Sequence, residues 1–323
     1  MTTEPDSPVR PGGSGWLRPL GSTGLTVSAI AAGGGPIGGM PELFGYDTPE
    51  DRALEVVAAI AASSIRMIDT ANGYSGGRSE ERIGAALEAL PGHDLLVATK
   101  VDAKDGDYSG DRVRASVDES RSRLRMDVLP LVHLHDPEFH PDAGFERPGG
   151  AIEALVALRE QGVIGHLGLA GGHRPTMERL LATGEFEVLL THSRSTLLDR
   201  TADPLIDDAR SRGLGVVNAA VLGGGLLASR SAKPLYGFRP ARPEVLEAAA
   251  ALHDLADEHG IALADAAVQA SVRDERVDAT VVGFSRPERV PRLLASLAAP
   301  IPAVFWERAD ELMPDPSAWL DAA

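Results

Sequence analysis

Cysteine is missing from all 323 residues, which excludes disulfide frameworks, thiolate metal sites, iron–sulfur clusters and cysteine nucleophiles. Aromatic residues make up only 4%, which disfavours a steroid-like or polyaromatic pocket. Basic residues are also scarce: 31 Lys+Arg face 47 Asp+Glu, for a net charge of −16. Neither nucleic acid nor an anionic membrane is therefore expected as the main partner. A local basic pocket for one phosphate group is still compatible with that balance. No apolar run reaches the ~18 residues of a membrane helix. Residues 1–15 hold acids and prolines without the apolar core of a signal peptide. They read as a disordered leader to a single domain over 16–323, in a cytoplasmic protein.

What is present is alternation. With 43% apolar residues the chain can bury a sizeable core, and it spends them in short runs separated by helical periodicity. The runs are 26–32, 65–69, 95–100, 129–135, 163–169, 187–190, 215–219 and 279–282. Helical patterns lie over 48–62, 79–90, 111–126, 150–161, 175–183, 203–212, 243–258 and 287–297. Thr48 and Ser79 read as helix caps, with Pro49 in the first turn of the one helix, and Gly162 reads as a C-terminal stop. Near-continuous apolar strands alternating with helices mean a parallel sheet covered on both faces. Eight units predict an α/β fold of the (β/α)8 TIM-barrel kind, with an open sheet as the alternative. Leu17–Leu25 reads as a hairpin before the first strand, turning at Gly21–Gly24. The sixty residues before the last strand predict a long loop and extra helices, with more helix at the C-terminus.

Chemistry in such a barrel belongs at the C-terminal ends of strands. Those ends carry Ile68-Asp69 with Tyr74 five residues on, then Thr99-Lys100, then His133-Leu134-His135-Asp136. An Asp, a Tyr, a Lys and a His suit proton transfer. Lys100 beside Tyr74 is expected to lower the phenol pKa by ~1–3 units. Asp69 would pair with Lys100, and His135 would donate to a substrate oxygen. Taken singly, each has a plainer role: a turn residue, a loop anchor, a surface charge or a packed histidine.

The stretch Met67-Ile68-Asp69-Thr70-Ala71-Asn72-Gly73-Tyr74 through Ser79-Glu80, with Val97-Ala98-Thr99-Lys100-Val101 and Val132-His133-Leu134-His135-Asp136-Pro137, resembles the aldo-keto reductase superfamily. The resemblance implies a barrel that binds a nicotinamide dinucleotide across its rim without metal. It also implies a tetrad of Asp69, Tyr74, Lys100 and His135, with Tyr74 the general acid and base and His133 structural. Ser195–Arg200, Gly213–Ala220 and Gly223–Ala228 are similar to its aldose 1-dehydrogenase branch, which acts on sugars such as L-fucose, L-galactose or D-arabinose.

By the same resemblance, Leu222, Gly224 and Leu226 offer N–H groups to the pyrophosphate. Gly283, Phe284, Ser285, Arg286 and Arg289 hold the adenosine phosphate, favouring NADP over NAD. The nicotinamide pocket departs from the family: Ala170-Gly171-Gly172 stands for Ser-Asn, His192 for Gln and Ala219 for the stacking Tyr. Partners for the ring are then His192, Ser193, Arg194 or Asn218. Substrate walls are sought in Phe44, Tyr46, Asp105, Asp107, Tyr108 and around Phe238, with 230–242 either a lid or a plain loop. The expected partner is a small carbonyl or sugar substrate, and the oligomeric state is left open. Two other classes compete: a lyase using Lys100 as a Schiff base, and a non-catalytic cofactor-sensing subunit.

Overall fold

A computed structural model describes residues 9–41 and 45–322. Its centre is a closed barrel of eight parallel strands: β3 (Ile30–Gly33), β4 (Met67–Asp69), β5 (Leu96–Val101), β6 (Leu129–His135), β7 (Ile164–Gly171), β8 (Val188–His192), β9 (Gly215–Ala219) and β12 (Ala279–Gly283). Strand β12 pairs with both β9 and β3, so the ring has no edge and the open-sheet alternative falls. The bore is filled by apolar side chains, among them Ala31, Met67, Ala98, Leu131, Val188 and Val217. A larger shell of Ile, Val and Leu lies between strands and helices. A parallel sheet buried on both faces needs that composition.

Residues 26–32, read as one strand, are two. A hairpin of β1 (Leu17–Pro19) and β2 (Thr26–Ser28) precedes β3. The break falls at Ser28, whose hydroxyl donates to Ile30 O at 2.5 Å and accepts from the Arg66 N–H at 2.8 Å. The hairpin caps the N-terminal end of the barrel, with Leu20 and Val27 in the bore cluster. Gly21 permits this contact: a Cβ there would lie 2.2 Å from Gly215 N.

Two expected caps are misplaced. The helix Glu50–Ala61 starts from Pro49 with no side-chain cap, and the Thr48 hydroxyl is buried without a partner. Ser79 lies inside the helix Arg78–Glu88, which starts from Gly77. Gly162 does follow the helix Ala151–Glu160 in left-handed conformation (φ 72°).

The long excursion before β12 forms two helices, Pro243–Glu258 and Leu263–Arg273; with Ala303–Glu311 they build a second core around Leu252, Leu255 and Phe305. The segment 230–242 holds a short ladder, β10 (Leu235–Tyr236) with β11 (Arg239–Pro240). It is pinned by the buried Tyr236 hydroxyl, which is bonded to Ser193 O and Thr196 Oγ1, both at 2.7 Å. No helix among the described residues is long and apolar enough to cross a membrane.

Candidate active site

The parallel register brings the chosen side chains to one rim. Asp69 ends β4 opposite Ala98, Lys100 on β5 lies opposite His133, and His135 ends β6 opposite Ala170. Lys100 Nζ donates to Asp69 Oδ2 at 2.7 Å, to Thr70 O at 2.6 Å and to Tyr74 Oη at 3.4 Å. Side-chain exposure is 2% for Lys100 and 5% for Asp69. Burial opposes the lysine charge, but Asp69 and Tyr74 outweigh it and hold the ammonium above its ordinary pKa. For Tyr74 burial wins. The phenol is pushed up to about 12 although Lys100 pulls the other way. The expected lowering is thus reversed in sign, because desolvation of the tyrosinate exceeds its attraction to an ammonium already committed to Asp69.

His135 and His133 part company. The His135 ring lies edge-on to Tyr74, with centroids 5.7 Å apart. Its Nδ1 is 2.6 Å from Asp102 Oδ1. Burial, Lys100 and His135 push His133 well below the ordinary histidine pKa, and both its nitrogens are buried without partners. Its ring fills the space across from Gly168, where a Cβ would sit 2.0 Å from Nδ1. That is a packing role.

The loop bearing Tyr74 is held by residues the sequence reading passed over. Asn72 Nδ2 donates to Ser116 O, Ser120 Oγ and Glu119 Oε2 at 3.1–3.2 Å. The Gly73 N–H donates to Asp102 Oδ2 at 2.6 Å. Arg112 grips Glu119 in a two-pronged pair at 2.7 and 2.8 Å. Inside the signature stretch, the Thr70 and Ser79 hydroxyls bond each other at 2.8 Å, and Ser79 Oγ donates to Gly34 O at 2.8 Å. Asp102 was findable: it lies two residues after Lys100, so strand periodicity sends it toward the same side.

Around the rim, His192 ends β8 with its ring against Phe238, centroids 5.5 Å apart. Both ring nitrogens are buried without a formed hydrogen bond. Asp136 Oδ1 lies 3.4 Å from Nε2. Asp136, Glu138 and His192 bring donor atoms within 4.8 Å of one another. Glu138 Oε1 already accepts the Gly172 and His173 N–H groups, at 2.5 and 3.1 Å. Arg194 is committed elsewhere, through a buried two-pronged pair with Asp321 at 2.8 and 2.9 Å. Asn218 Nδ2 is taken by Ser195 O and Ser271 Oγ.

Beside the ends of β9 and β12 opens a cavity of about 420 Å³, lined by Leu222, His253, Asp257, Phe284, Arg289 and Arg292 among others. Gly283 also lines it, and Ser285 and the exposed Arg286 sit in the following turn. Gly224 is left-handed (φ 67°), and the Leu226 N–H donates back to Gly223 O at 3.2 Å. A cleft of this size, with a mixed lining and two guanidinium groups, fits an adenosine with its phosphates. Among the expected substrate walls, Phe44 lies outside the described residues. Tyr108 is buried instead: its hydroxyl accepts the His135 N–H at 2.9 Å and lies 2.6 Å from Val101 O. Asp107 accepts the Ser109 N–H in a turn. Asp105 is exposed beside it, as is Tyr46.

A sequence profile of the aldo/keto reductase family matches residues 30–314. L-galactose dehydrogenase of Arabidopsis thaliana is 32% identical, over 87% of this chain and 88% of that protein. D-threo-aldose 1-dehydrogenase of a Pseudomonas species is 27% identical, over 91% and 97%. In fold, the chain superposes on a holo-form aldo-keto reductase from Bacillus halodurans with a TM-score of 0.76, covering 94% of this chain and 97% of that one at 22% identity. The chain belongs to the aldo/keto reductase family and is an NAD(P)-dependent oxidoreductase.

Proposed function

We propose that the protein exchanges hydride between NADP(H) and the carbonyl or lactol carbon of a small polar aldose or hydroxy-aldehyde, with Tyr74 as general acid and base. The observation that carries this reading is the Lys100 ammonium, held by Asp69 and in contact with the Tyr74 hydroxyl. The bound nicotinamide supplies or takes the hydride. Tyr74, protonated through neutral pH, gives its proton to the carbonyl oxygen in reduction and must lose it for oxidation. Lys100 stabilises the phenolate left behind, and Asp69 keeps Lys100 charged and in place. His135 faces the same space and donates to the substrate oxygen.

The names of the two sugar dehydrogenase relatives support an aldose. So does a rim of Asp136, Glu138 and His192, whose acceptors suit sugar hydroxyls. Arg289 and Arg292 in the cavity support NADP over NAD, since an added phosphate is bound by guanidinium groups. Leu222 lines that cavity, and with Gly224 and Leu226 just after it in the chain it would line the pyrophosphate path. The Schiff-base reading of Lys100 is disfavoured: that chemistry needs a free amine, and this nitrogen is a buried ammonium with three partners. An assembled tetrad likewise argues against a purely sensing subunit.

The test is a fluorescence titration with NADPH and NADH, repeated with Tyr74→Phe and combined with turnover on a panel of sugars. NADPH should bind more tightly, and the variant should keep binding while losing about 10²–10⁴-fold in turnover. Arg289→Ala with Arg292→Ala should weaken NADPH more than NADH. Absence of binding by either nucleotide would overturn the proposal.

A further inference from the structure

Asp102 is the first residue after β5, and it touches both the His135 ring and the loop that carries Tyr74. One carboxylate oxygen lies 2.6 Å from His135 Nδ1, and the other accepts the Gly73 N–H at 2.6 Å, one residue before Tyr74. The carboxylate is itself fixed by its main chain: its N–H donates to Ser116 Oγ and its carbonyl accepts from Arg112 Nε, both at 3.3 Å. The approach is close enough that a Cβ on residue 73 would stand 3.0 Å from the carboxylate.

We propose that Asp102 is a positioning residue, which clamps the His135 ring by Nδ1 and the Tyr74 loop by the Gly73 N–H so that Nε2 is left as a hydrogen-bond donor toward the substrate oxygen. This rests on the oxidoreductase reading above. The clamp sets the chemistry of the ring. A neutral imidazole that gives Nδ1–H to Asp102 has only a lone pair at Nε2 and would repel a carbonyl oxygen. Only the imidazolium donates at both nitrogens. Asp102 faces the ring from just beyond β5, and Asp136, just beyond β6, lies 3.7 Å from Nε2. Against them stand burial and the Lys100 charge. Tyr74 meets the ring edge as a neutral phenol, Tyr108 bonds only the backbone of His135, and His133 beneath is held neutral. Burial disfavours the charge, but the two carboxylates prevail and His135 lies above the ordinary histidine pKa. Burial works against Asp102 too, and pairing with His135 still holds its carboxyl below the ordinary range.

Asp102→Asn removes the charge with little change of shape: it keeps one acceptor, for Nδ1–H, and turns the other, facing the Gly73 N–H, into an amide nitrogen. The His135 titration is followed in the full-length protein by two-dimensional 1H–15N NMR, assigned with His135→Asn. In parallel, kcat/KM for carbonyl reduction is measured against pH. The expected result is a His135 pKa lower by about 1–3 units. The alkaline limb of kcat/KM should move down with it, for a loss of about tenfold or more above neutrality and little change at low pH. Asp102→Glu should restore part of the shift. A His135 titration and a pH profile within about 0.3 unit of wild type would overturn the proposal. A uniform fall in kcat at every pH with the titration unmoved would also overturn it, because that is a structural defect. The NMR shift is read without turnover, so a protein inactive on every carbonyl but showing the shift would sink the oxidoreductase reading while the clamp stood.

Discussion

Replacing Lys100 by Met removes one charge from the centre of the site while keeping most of its volume. Nζ lies 3.4 Å from the Tyr74 hydroxyl. At an effective dielectric of about 20, that charge favours a tyrosinate by about 5 kcal/mol, or roughly 3.5 pKa units. Relaxation of the site and entry of water reduce such a value, so a rise of about 1–3 units is expected. The phenol already stands near 12, so the tyrosinate fraction under mildly alkaline conditions should fall about 10–10³-fold. Alcohol or lactol oxidation should fall with it, and its rate should climb with pH without a plateau. Reduction uses the protonated phenol and should lose less. Stability falls as well, because Asp69 is 5% exposed and would be left as a lone buried carboxylate, a loss of about 3–5 kcal/mol. The sign is defined: Lys100 is raised in the folded state, so its stabilisation is complete below the unfolded lysine pKa. It disappears only as pH rises through the higher folded value. Stopped-flow pH–rate profiles in both directions, with urea unfolding, test this. Oxidation within about threefold of wild type together with unfolding within about 1 kcal/mol would refute the reasoning.

Glu119 is held at about 2 chiefly by its hydrogen bonds to Arg112. A depressed carboxyl stabilises the fold fully above the ordinary glutamate value of 4.5 and loses that contribution as pH falls toward about 2. Glu119→Gln should therefore flatten the acid-unfolding curve in that window, as followed by circular dichroism. Gly168→Ala drives a methyl to 2.0 Å from the buried His133 ring and should cost at least about 2 kcal/mol in urea unfolding; a neutral result would mean His133 has room to move. Asp321→Asn breaks the pair with Arg194, whose side chains are 9% and 4% exposed, and should cost about 3 kcal/mol. Removing Glu88 from its surface pair with Arg125, 64% and 45% exposed, should change stability by under about 0.5 kcal/mol. Equal effects in these last two variants would show that burial does not set the strength of these ion pairs.

Where sequence reading succeeded, the information was local. Asp69, Lys100 and His135 stand at strand ends, and a strand is marked by its own apolar run. Parallel neighbours in register then bring successive ends together, so assembly of the tetrad follows from the order of the elements. The hairpin and the extra helices before β12 were legible for the same reason, as turn residues and periodicity lie within a few positions of one another. Thr48 and Ser79 misled because a hydroxyl before a helical run signals a cap only if the main chain enters at that residue. Here Pro49 and Gly77 are the entry points, a choice made by packing.

What the sequence by itself determined is the eight-unit barrel and the identity of the four residues at its rim. Tertiary structure alone decided how those residues behave. The Tyr74 pKa rises because the surrounding chain buries it against an ammonium already shared with Asp69. His133 and His135, two residues apart on β6, point the same way; His135 meets the site because it ends the strand at the rim, and His133, one layer deeper, fits where Gly168 on β7 leaves room. Asp102 meets Gly73 and His135 across 29 and 33 residues of chain. Desolvation and contacts between distant segments exist only once the ring has closed, which is why no motif announces them.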